Sequence, residues 1–421
     1  MRVTLEKWDA DDLPVRERVD TPEMTEHLGG PEMAEQVAAR HARHLRAEET
    51  GDAWMFRIDV DGAAAGSIGF WHVDHEGVPA YEAGWSVHPE HQGRGVAREA
   101  LRQVIRLAAA RRDRELVVAY PGVDDAASDA LCRRAGFTHT GAGRMPWRGG
   151  ELAYSVWELD MSPLDLTGRV PDVDEPFGEG VLDETLWWPH YLPHWSSRDR
   201  TAARYAVDPE GLELRIEADT RPWAPDVDGD IRCSHMQTGQ WAGPVGSGIG
   251  QHRFRPGLVV REAQPERRLW LVQHGVIEVR MAAVRHPDVM VACWPIGFEE
   301  RPEDSGEICL AEIFGSDMDD DGGWVGVGVK AQNDPRLRDD VERIRIDEDL
   351  TRPHDYAVEW TPDRLRFFID HRWVKTVAQR IDYPVQLMLD VYEFPRADGT
   401  RDTAALPHRF RISHVRSFGP G

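Results

Sequence analysis

Cysteine is scarce in this chain of 421 residues: there are four, at Cys132, Cys233, Cys293 and Cys309, and no two have Cys-x-x-Cys spacing. So few thiols over such a length exclude a disulfide scaffold, and the expectation is four reduced thiols. Basic residues are also short. Lys plus Arg number 50 against 74 Asp plus Glu, a net charge of −24, and a field of that sign repels phosphate backbones and anionic lipid. Nucleic-acid and membrane partners are therefore not expected. No run approaches the ~20 apolar residues needed to span a bilayer. Residues 1–20 mix Arg2, Glu6, Lys7 and Asp9 with apolar residues, so the apolar core of a secretion signal is missing and a cytoplasmic location is expected. Internal repeats and low-complexity tracts are absent as well, which excludes a solenoid or an array.

What the chain does have is two differently patterned halves. At ~100–200 residues per domain, its length suits two compact domains or at most three. Residues 162–176, SPLDLTGRVPDVDEP, carry three prolines and four acids, the composition of an exposed linker. The expected division is a domain over 1–161, a linker over 162–175 and a second domain over 176–421. Before the linker, strand and helix patterns alternate, which predicts an α+β domain. After it come short strand-like runs with turn signals and hardly any helical periodicity, which predicts an all-β sandwich.

In the first half, Trp54–Val60 and Ala63–Trp71 flank Asp61-Gly62, a pair suited to a two-residue hairpin turn. Tyr81, Ala83, Trp85 and Val87 then alternate with Glu82, Gly84 and Ser86, a strand with Glu82 on the face opposite its apolar side chains. That strand runs into HPEHQGRGVA, beyond which Val96, Leu101, Val104, Ile105 and Ala108 recur at helical spacing. A helix N-terminus leaves backbone N–H groups unpaired and partly positive, and glycines let a phosphate come close to them. By itself a Gly-x-Gly turn is weak evidence, since most such glycines only make turns.

Gln92-Gly93-Arg94-Gly95-Val96-Ala97 resembles the Gln/Arg-x-x-Gly-x-Gly/Ala signature of the GNAT acetyltransferase superfamily, and it follows a strand as that signature does. Strand Leu116–Tyr120 and the segment DDAASDALCRRAGF resemble that family's next strand and its Asn-x-x-Ser…Gly-Phe helix, with Gly136 placed to cap the helix C-terminus. The resemblance covers about residues 1–161. It implies an acetyl-CoA cosubstrate, a mixed sheet splayed near Val87 with pantetheine in the splay, and pyrophosphate on the amides of Gly93, Arg94, Gly95, Val96 and Ala97. Gln92, Val87 and Asp125 join the cofactor-binding set, Asp125 standing where the family usually has Asn. Cys132 stands where many members have a tyrosine that protonates the departing thiolate; its own reading is a small apolar helix residue or a weak proton donor. Acetyl transfer to an amine needs a base, and Glu82, beside the splay where many members place a glutamate, is the expected one. A small-molecule amine is the expected acceptor, although a peptide N-terminus would also fit.

In the second half the informative stretch is SGEICLAEIF, residues 305–314. Strict alternation would put Glu307 and Cys309 on one face and Glu312 on the other. A β-bulge near Leu310-Ala311 would bring Glu312 round to the face of Glu307 and set two carboxylates ~5 Å apart, the separation used by retaining glycosidases. The spacing resembles Glu-x-Asp-x-x-Glu of glycoside hydrolase family 16, a concanavalin-like jelly roll. Val276–Ala283, Ala292-Cys293-Trp294-Pro295, His354–Trp360 and Phe367–Asp370 resemble further strands of that family, so that the match spans about residues 176–418. It implies Glu307 as nucleophile and Glu312 as acid/base, with Cys309 replacing the Asp that tunes the nucleophile. A thiol lacks a carboxylate's charge and its two strong acceptors. Two functions stay open: a hydrolase acting on a soluble saccharide or glycosylated metabolite, and a jelly roll that binds carbohydrate without cleaving it. Trp241, Trp294 and Trp324 read as core residues before sugar platforms. Asp317–Gly322 copies the start of a calcium loop but has Gly328 at its twelfth position, and His190 and His194 are flanked by Pro189 and Pro193, so no tightly bound metal is expected.

Overall fold

The computed structural model of the chain describes residues 1–147 and 150–421, which divide into two compact units, Met1–Pro163 and Leu164–Gly421. The first unit runs β1 (Val3–Lys7), α1 (Leu13–Glu17), α2 (Pro22–Thr25), α3 (Ala34–Thr50), β2 (Ala53–Val60), β3 (Ala63–His75), β4 (Val78–Val87), α4 (Val96–Arg111), β5 (Leu116–Ala119), α5 (Ala126–Arg134), β6 (Thr138–Trp147) and β7 (Gly150–Asp160). Its strands form one sheet in the order β1-β2-β3-β4-β5-β7-β6. Asp61 and Gly62 both take positive φ, 50° and 85°, in the tight turn from β2 to β3. Helix α4 buries Val96, Leu101, Val104, Ile105 and Ala108, the stripe its spacing predicts.

One parallel contact organises this sheet. β4 and β5 pair at Tyr81↔Val117 and Glu82↔Val118, after which β4 runs on to Val87 while β5 ends at Ala119. The two strands part there, which is the expected splay. The antiparallel neighbours add Trp71↔Glu82 on β3 and Val118↔Glu158 on β7. Directly opposed residues share a face, so Trp71, Glu82, Val118 and Glu158 form a row across four strands at the mouth of the splay.

The second unit begins earlier than 176. Leu164 is buried among Val276, Ala357, Phe368 and Phe418, its N–H donates to the His371 carbonyl at 2.8 Å, and Val173–Glu175 forms β8 along β24 (His408–Phe418). The expected free linker over 162–175 is thus partly laid onto the second unit. Proline and acid content reports where a segment cannot be central; it does not report two leucines, Leu164 and Leu166, with an apolar patch to cover.

The remaining strands are β9 (Tyr205–Asp208), β10 (Gly211–Ile216), β11 (Arg232–Gln237), β12 (Gly239–Gln240), β13 (Arg267–Arg268), β14 (Leu271–Val272), β15 (Gly275–Ala282), β16 (Val289–Gly297), β17 (Glu307–Phe314), β18 (Gly323–Lys330), β19 (Asp340–Ile346), β20 (His354–Trp360), β21 (Leu365–Ile369), β22 (Arg372–Val377) and β23 (Val385–Glu393). Among the described residues one sheet has the order β22-β21-β20-β15-β24-β10-β9 with β8 beside β24, and the other β11-β23-β16-β17-β18-β19 with β14 beside β23. Ile277, Val279, Val358 and Phe410 of the first sheet and Val291, Ile308, Val327 and Leu389 of the second meet in one core cluster, the interior of a β-sandwich.

The docked segment makes a prediction about stability. Leu164→Ala should lower the unfolding free energy of the second unit by about 2–4 kcal/mol, the usual cost of emptying a leucine site. Val170→Ala, in the same segment but 83% exposed, should change it by less than about 0.5 kcal/mol. Denaturant titration compares the two.

Candidate functional sites

The first site lies where β4 ends. Gly93 and Gly95 take φ of 68° and 82° before α4 starts at Val96, a left-handed backbone that favours glycine. A Cβ at either position would meet nothing within 4 Å, so the space above the turn is open, as a phosphate cradle at a helix N-terminus requires. The Gln92 amide donates to the Val87 carbonyl at 3.0 Å, which fastens the turn to the end of the strand. Arg94 is exposed. Asp125 caps α5, its carboxylate accepting from the Ser128 N–H at 2.9 Å, a task Asn performs equally well. Cys132 is fully buried and burial pushes its thiol well above the usual range. It packs.

Glu82 is half-buried on the row at the splay. Burial raises its pKa, while the Trp71 Nε1–H, donating at 3.1 Å, partly opposes the rise. Beyond Val118, Tyr120 places its hydroxyl 2.7 Å from His75 Nδ1, and His75 Nε2 lies 3.1 Å from Glu158. Sequence reading picks Glu82 but passes over Trp71, Tyr120, His75 and Glu158. The signal that would have found them is register parity, and it needs the strand pairings.

The second site lies on β17. Between Cys309↔Gly328 and Glu312↔Gly326, three steps on β17 match two on β18, so the expected bulge at Leu310-Ala311 exists. It sends Leu310 and Ala311 into the core and turns Glu312 to the face of Glu307. Both glutamates and Cys309 line one cleft with Tyr191, His252, Trp294 and Tyr392. The Trp294 indole donates to buried Asp390, which is also paired with His235, and this fixes the ring on the cleft wall.

Between the two carboxylates stands Lys330. Its Nζ is 3.0 Å from Glu307 Oε1 and 3.0 Å from Glu312 Oε1; the other oxygen of Glu307 accepts from the Gln332 amide at 2.6 Å. Burial pushes the Glu307 pKa up, and the Lys330 ammonium and Gln332 amide oppose it. Although burial disfavours the ammonium, Glu307, Cys309 and Glu312 hold its pKa above the ordinary lysine value. The Cys309 thiol, on the same cleft, donates to the Gly326 carbonyl at 3.4 Å. Sequence reading passes over Lys330 too, although GWVGVGVK, residues 323–330, alternates so that Gly326, Gly328 and Lys330 share one face, with Gly326 directly across from Glu312.

The other flagged residues have structural partners. Asp317, Asp319 and Asp320 pair with Arg343, Arg345 and Arg285. His194 is buried with its nitrogens at the Gln251 carbonyl and Gln240 amide. Trp241 donates to the Phe298 carbonyl at 2.6 Å, whereas Trp324, expected in the core, is 38% exposed beside the Arg343 guanidinium. Glu348, His354 and Asp370 bring ligand-type atoms within 4.8 Å of one another, but His354 bonds Asp370 at 2.7 Å and the Asp349 carbonyl at 3.2 Å, an arrangement that uses both ring nitrogens.

The sheet splayed beside a glycine turn has the form that the GNAT resemblance implies, and the bulged strand presenting two glutamates in a sandwich cleft has the form that the family 16 resemblance implies. Residues 2–138 match the family model described as Acetyltransferase (GNAT) domain, and residues 270–396 match Glycosyl hydrolases family 16. The chain therefore joins a GNAT domain to a family 16 domain. No curated protein matches the chain in sequence. Among solved structures it is similar to the endo-β-galactosidase of Clostridium perfringens that releases GlcNAcα1-4Gal, at 24% identity and a TM-score of 0.53 over 62% of this chain and 64% of that one. The chain thus spans less than two thirds of that enzyme's length, and the likeness is one of fold. A laminarinase from Flavobacterium sp. UMI-01 aligns over 59% of this chain and 100% of its own, at 18% identity and a TM-score of 0.41. RimL, a ribosomal L7/L12 α-N-protein acetyltransferase in complex with coenzyme A, aligns over 38% of this chain and 93% of its own, at 20% identity and a TM-score of 0.33.

Removing the ammonium should show what it compensates. In Lys330→Met, Glu307 faces Glu312 with no cation between them, so its folded pKa should rise further above the unfolded value of ~4.3. A carboxyl shifted upwards in the folded state stabilises below its unfolded pKa and loses that stability as pH rises through the folded one. The variant should therefore nearly match wild type at pH 4 and fall behind it progressively towards pH 8, as read by denaturant unfolding at each pH.

Proposed function

We propose that the first unit transfers an acetyl group from acetyl-CoA to an amine, and that the second binds a soluble saccharide or glycosylated metabolite without cleaving it. The observation that carries the first half is Glu82 at the mouth of the splay, one strand length from an open glycine turn at a helix start. The amides from Gly93 to Ala97 hold the pyrophosphate, the parted edge of β4 takes the pantetheine, and Glu82 removes the ammonium proton so that the free amine attacks the thioester carbon. Burial raises its pKa, which makes its carboxylate a stronger base than an exposed glutamate's.

The observation that carries the second half is Lys330. A retaining glycosidase needs one carboxylate free to attack the anomeric carbon and the other carrying a proton for the leaving oxygen. Here an ammonium binds both, and Gln332 takes the oxygen of Glu307 that is left. Trp294 and the tyrosines on the cleft wall give a sugar ring apolar faces to stack on. Hydrolysis keeps one argument, the bulge that aligns the two glutamates. Among the described residues no helix is long and apolar enough to cross a membrane, and we place the protein in the cytoplasm, where both ligands would be small and soluble.

Calorimetry should find micromolar binding of acetyl-CoA to wild type and none to Gly95→Glu, whose side chain fills the open space above the turn with like charge. Once a panel of amines has supplied an acceptor, Glu82→Gln should lower kcat by ~10²–10⁴ with acetyl-CoA affinity nearly unchanged. Activity should rise with pH through a limb above the usual glutamate range. Because the Trp71 N–H favours the charged carboxylate, Trp71→Phe should move that limb to higher pH.

For the second unit, oligosaccharides should bind by calorimetry while wild type turns over no β-glucan or β-galactan. The double variant Cys309→Asp/Lys330→Ala should gain slow hydrolysis with retention. Trapping of wild-type Glu307 by a fluorinated β-glycoside would contradict the binding assignment.

A further inference from the structure

If the first unit is an acetyltransferase, the departing thiolate needs a proton, and Cys132 is shut in the core. The parity of the sheet supplies another group. Val118 lies opposite Glu82 on β4 and opposite Glu158 on β7; Tyr120, two positions beyond Val118, faces the same way, where β4 and β5 have parted. His75 ends β3 four positions after Trp71, on the same face again. Parity therefore puts Glu82, Tyr120, His75 and Glu158, from four separate segments, on one face of the sheet. The side chains meet there: Tyr120 Oη to His75 Nδ1 is 2.7 Å, His75 Nε2 to Glu158 Oε1 is 3.1 Å, and Thr140 Oγ1 donates to the same Glu158 oxygen at 2.6 Å. The Tyr154 ring packs edge-on against Tyr120 with centroids 5.2 Å apart.

We propose that Tyr120 is the acid that protonates the coenzyme A thiolate, with His75 and Glu158 as its positioning residues. The proposal rests on the acetyltransferase assignment. In the reaction the amine nitrogen forms a bond to the acetyl carbon, the carbon–sulfur bond breaks, and its electron pair leaves on sulfur. The Tyr120 O–H gives its proton to that sulfur. The nitrogen sheds two protons in all: Glu82 passes one to solvent, and the other balances the proton that Tyr120 has given up. His75 Nδ1, 2.7 Å from the phenol oxygen, and Glu158 behind its Nε2 hold the Tyr120 hydroxyl in place. Burial and the charge of Glu82 hold the phenol at about 12, so it carries its proton at neutral pH.

The test needs no acceptor, because coenzyme A itself is the probe. The thiol of bound coenzyme A is titrated through the ultraviolet absorbance of its thiolate in full-length wild type, Tyr120→Phe and Glu158→Gln. A phenol hydrogen bonded to sulfur favours the thiolate. Tyr120→Phe should therefore raise the pH at which the bound thiol ionises by about one unit, tenfold in its ionisation constant, and Glu158→Gln should shift it less in the same direction, with coenzyme A affinity at neutral pH unchanged. Wild type and Tyr120→Phe titrating together while both bind coenzyme A would overturn the role of Tyr120 and leave the acetyltransferase assignment standing. Failure of wild type to bind coenzyme A at all would remove that assignment and this one with it.

Discussion

Both candidate sites sit where a β ladder is interrupted, and each site is built around that interruption. A backbone N–H or C=O inside a sheet is normally committed to a neighbouring strand. After Glu82 and Val118, β4 and β5 stop pairing, which frees a strand edge that leads to the N-terminus of α4. On β17 the interruption is one residue long. The bulge at Leu310-Ala311 costs one step of the ladder with β18 and reverses the phase of the residues beyond it, so that Glu312 shares the cleft with Glu307. Without either break, the glutamates of both units would be ordinary strand-face carboxylates.

Glutamates of the two sites live in opposite electrostatic settings. Glu82 has burial on one side and a single indole N–H on the other, a balance that keeps its charge adjustable. Glu307 is nearly sealed, 3% exposed, with both oxygens bonded to Lys330 and Gln332. Removing a buried carboxylate from water is costly unless it is paired, and the ammonium meets that cost for Glu307 and Glu312 together. The same pairing holds both carboxylates on a single ammonium. Cys309 fits this picture: its thiol turns to the Gly326 carbonyl, and a third carboxylate is not called for where a lysine already balances two.

Much of this was legible in the sequence, and the parts that were not have a common cause. The hairpin at Asp61-Gly62, the glycine turn before α4 and the bulge after Cys309 depend on φ preference and on period-two counting, both local properties of a few residues. Trp71, His75, Tyr120 and Glu158 gather only because β3, β4, β5 and β7 are neighbours in a fixed register. No single segment contains that information. Lys330 was within reach of strand alternation, but a lone lysine near a strand end reads as solvent-facing until its partner strand is known. The segment over 162–175 misled in the other direction, since its prolines and acids outnumber the two leucines that dock it.

We propose that one unit takes acetyl-CoA on the glycine turn while the other holds an intact saccharide beside a lysine-bridged glutamate pair. A crystal of the full chain soaked with acetyl-CoA and a mixture of β-linked oligosaccharides tests both halves in one density map. Pyrophosphate is expected on the amides of Gly93 to Ala97, with the thioester between Glu82 and Tyr120. An uncleaved chain is expected against Trp294, with Lys330 still seated between Glu307 and Glu312. A cleaved saccharide, or a sugar covalently attached to Glu307, would contradict the second half, and coenzyme density elsewhere than on the turn would contradict the first.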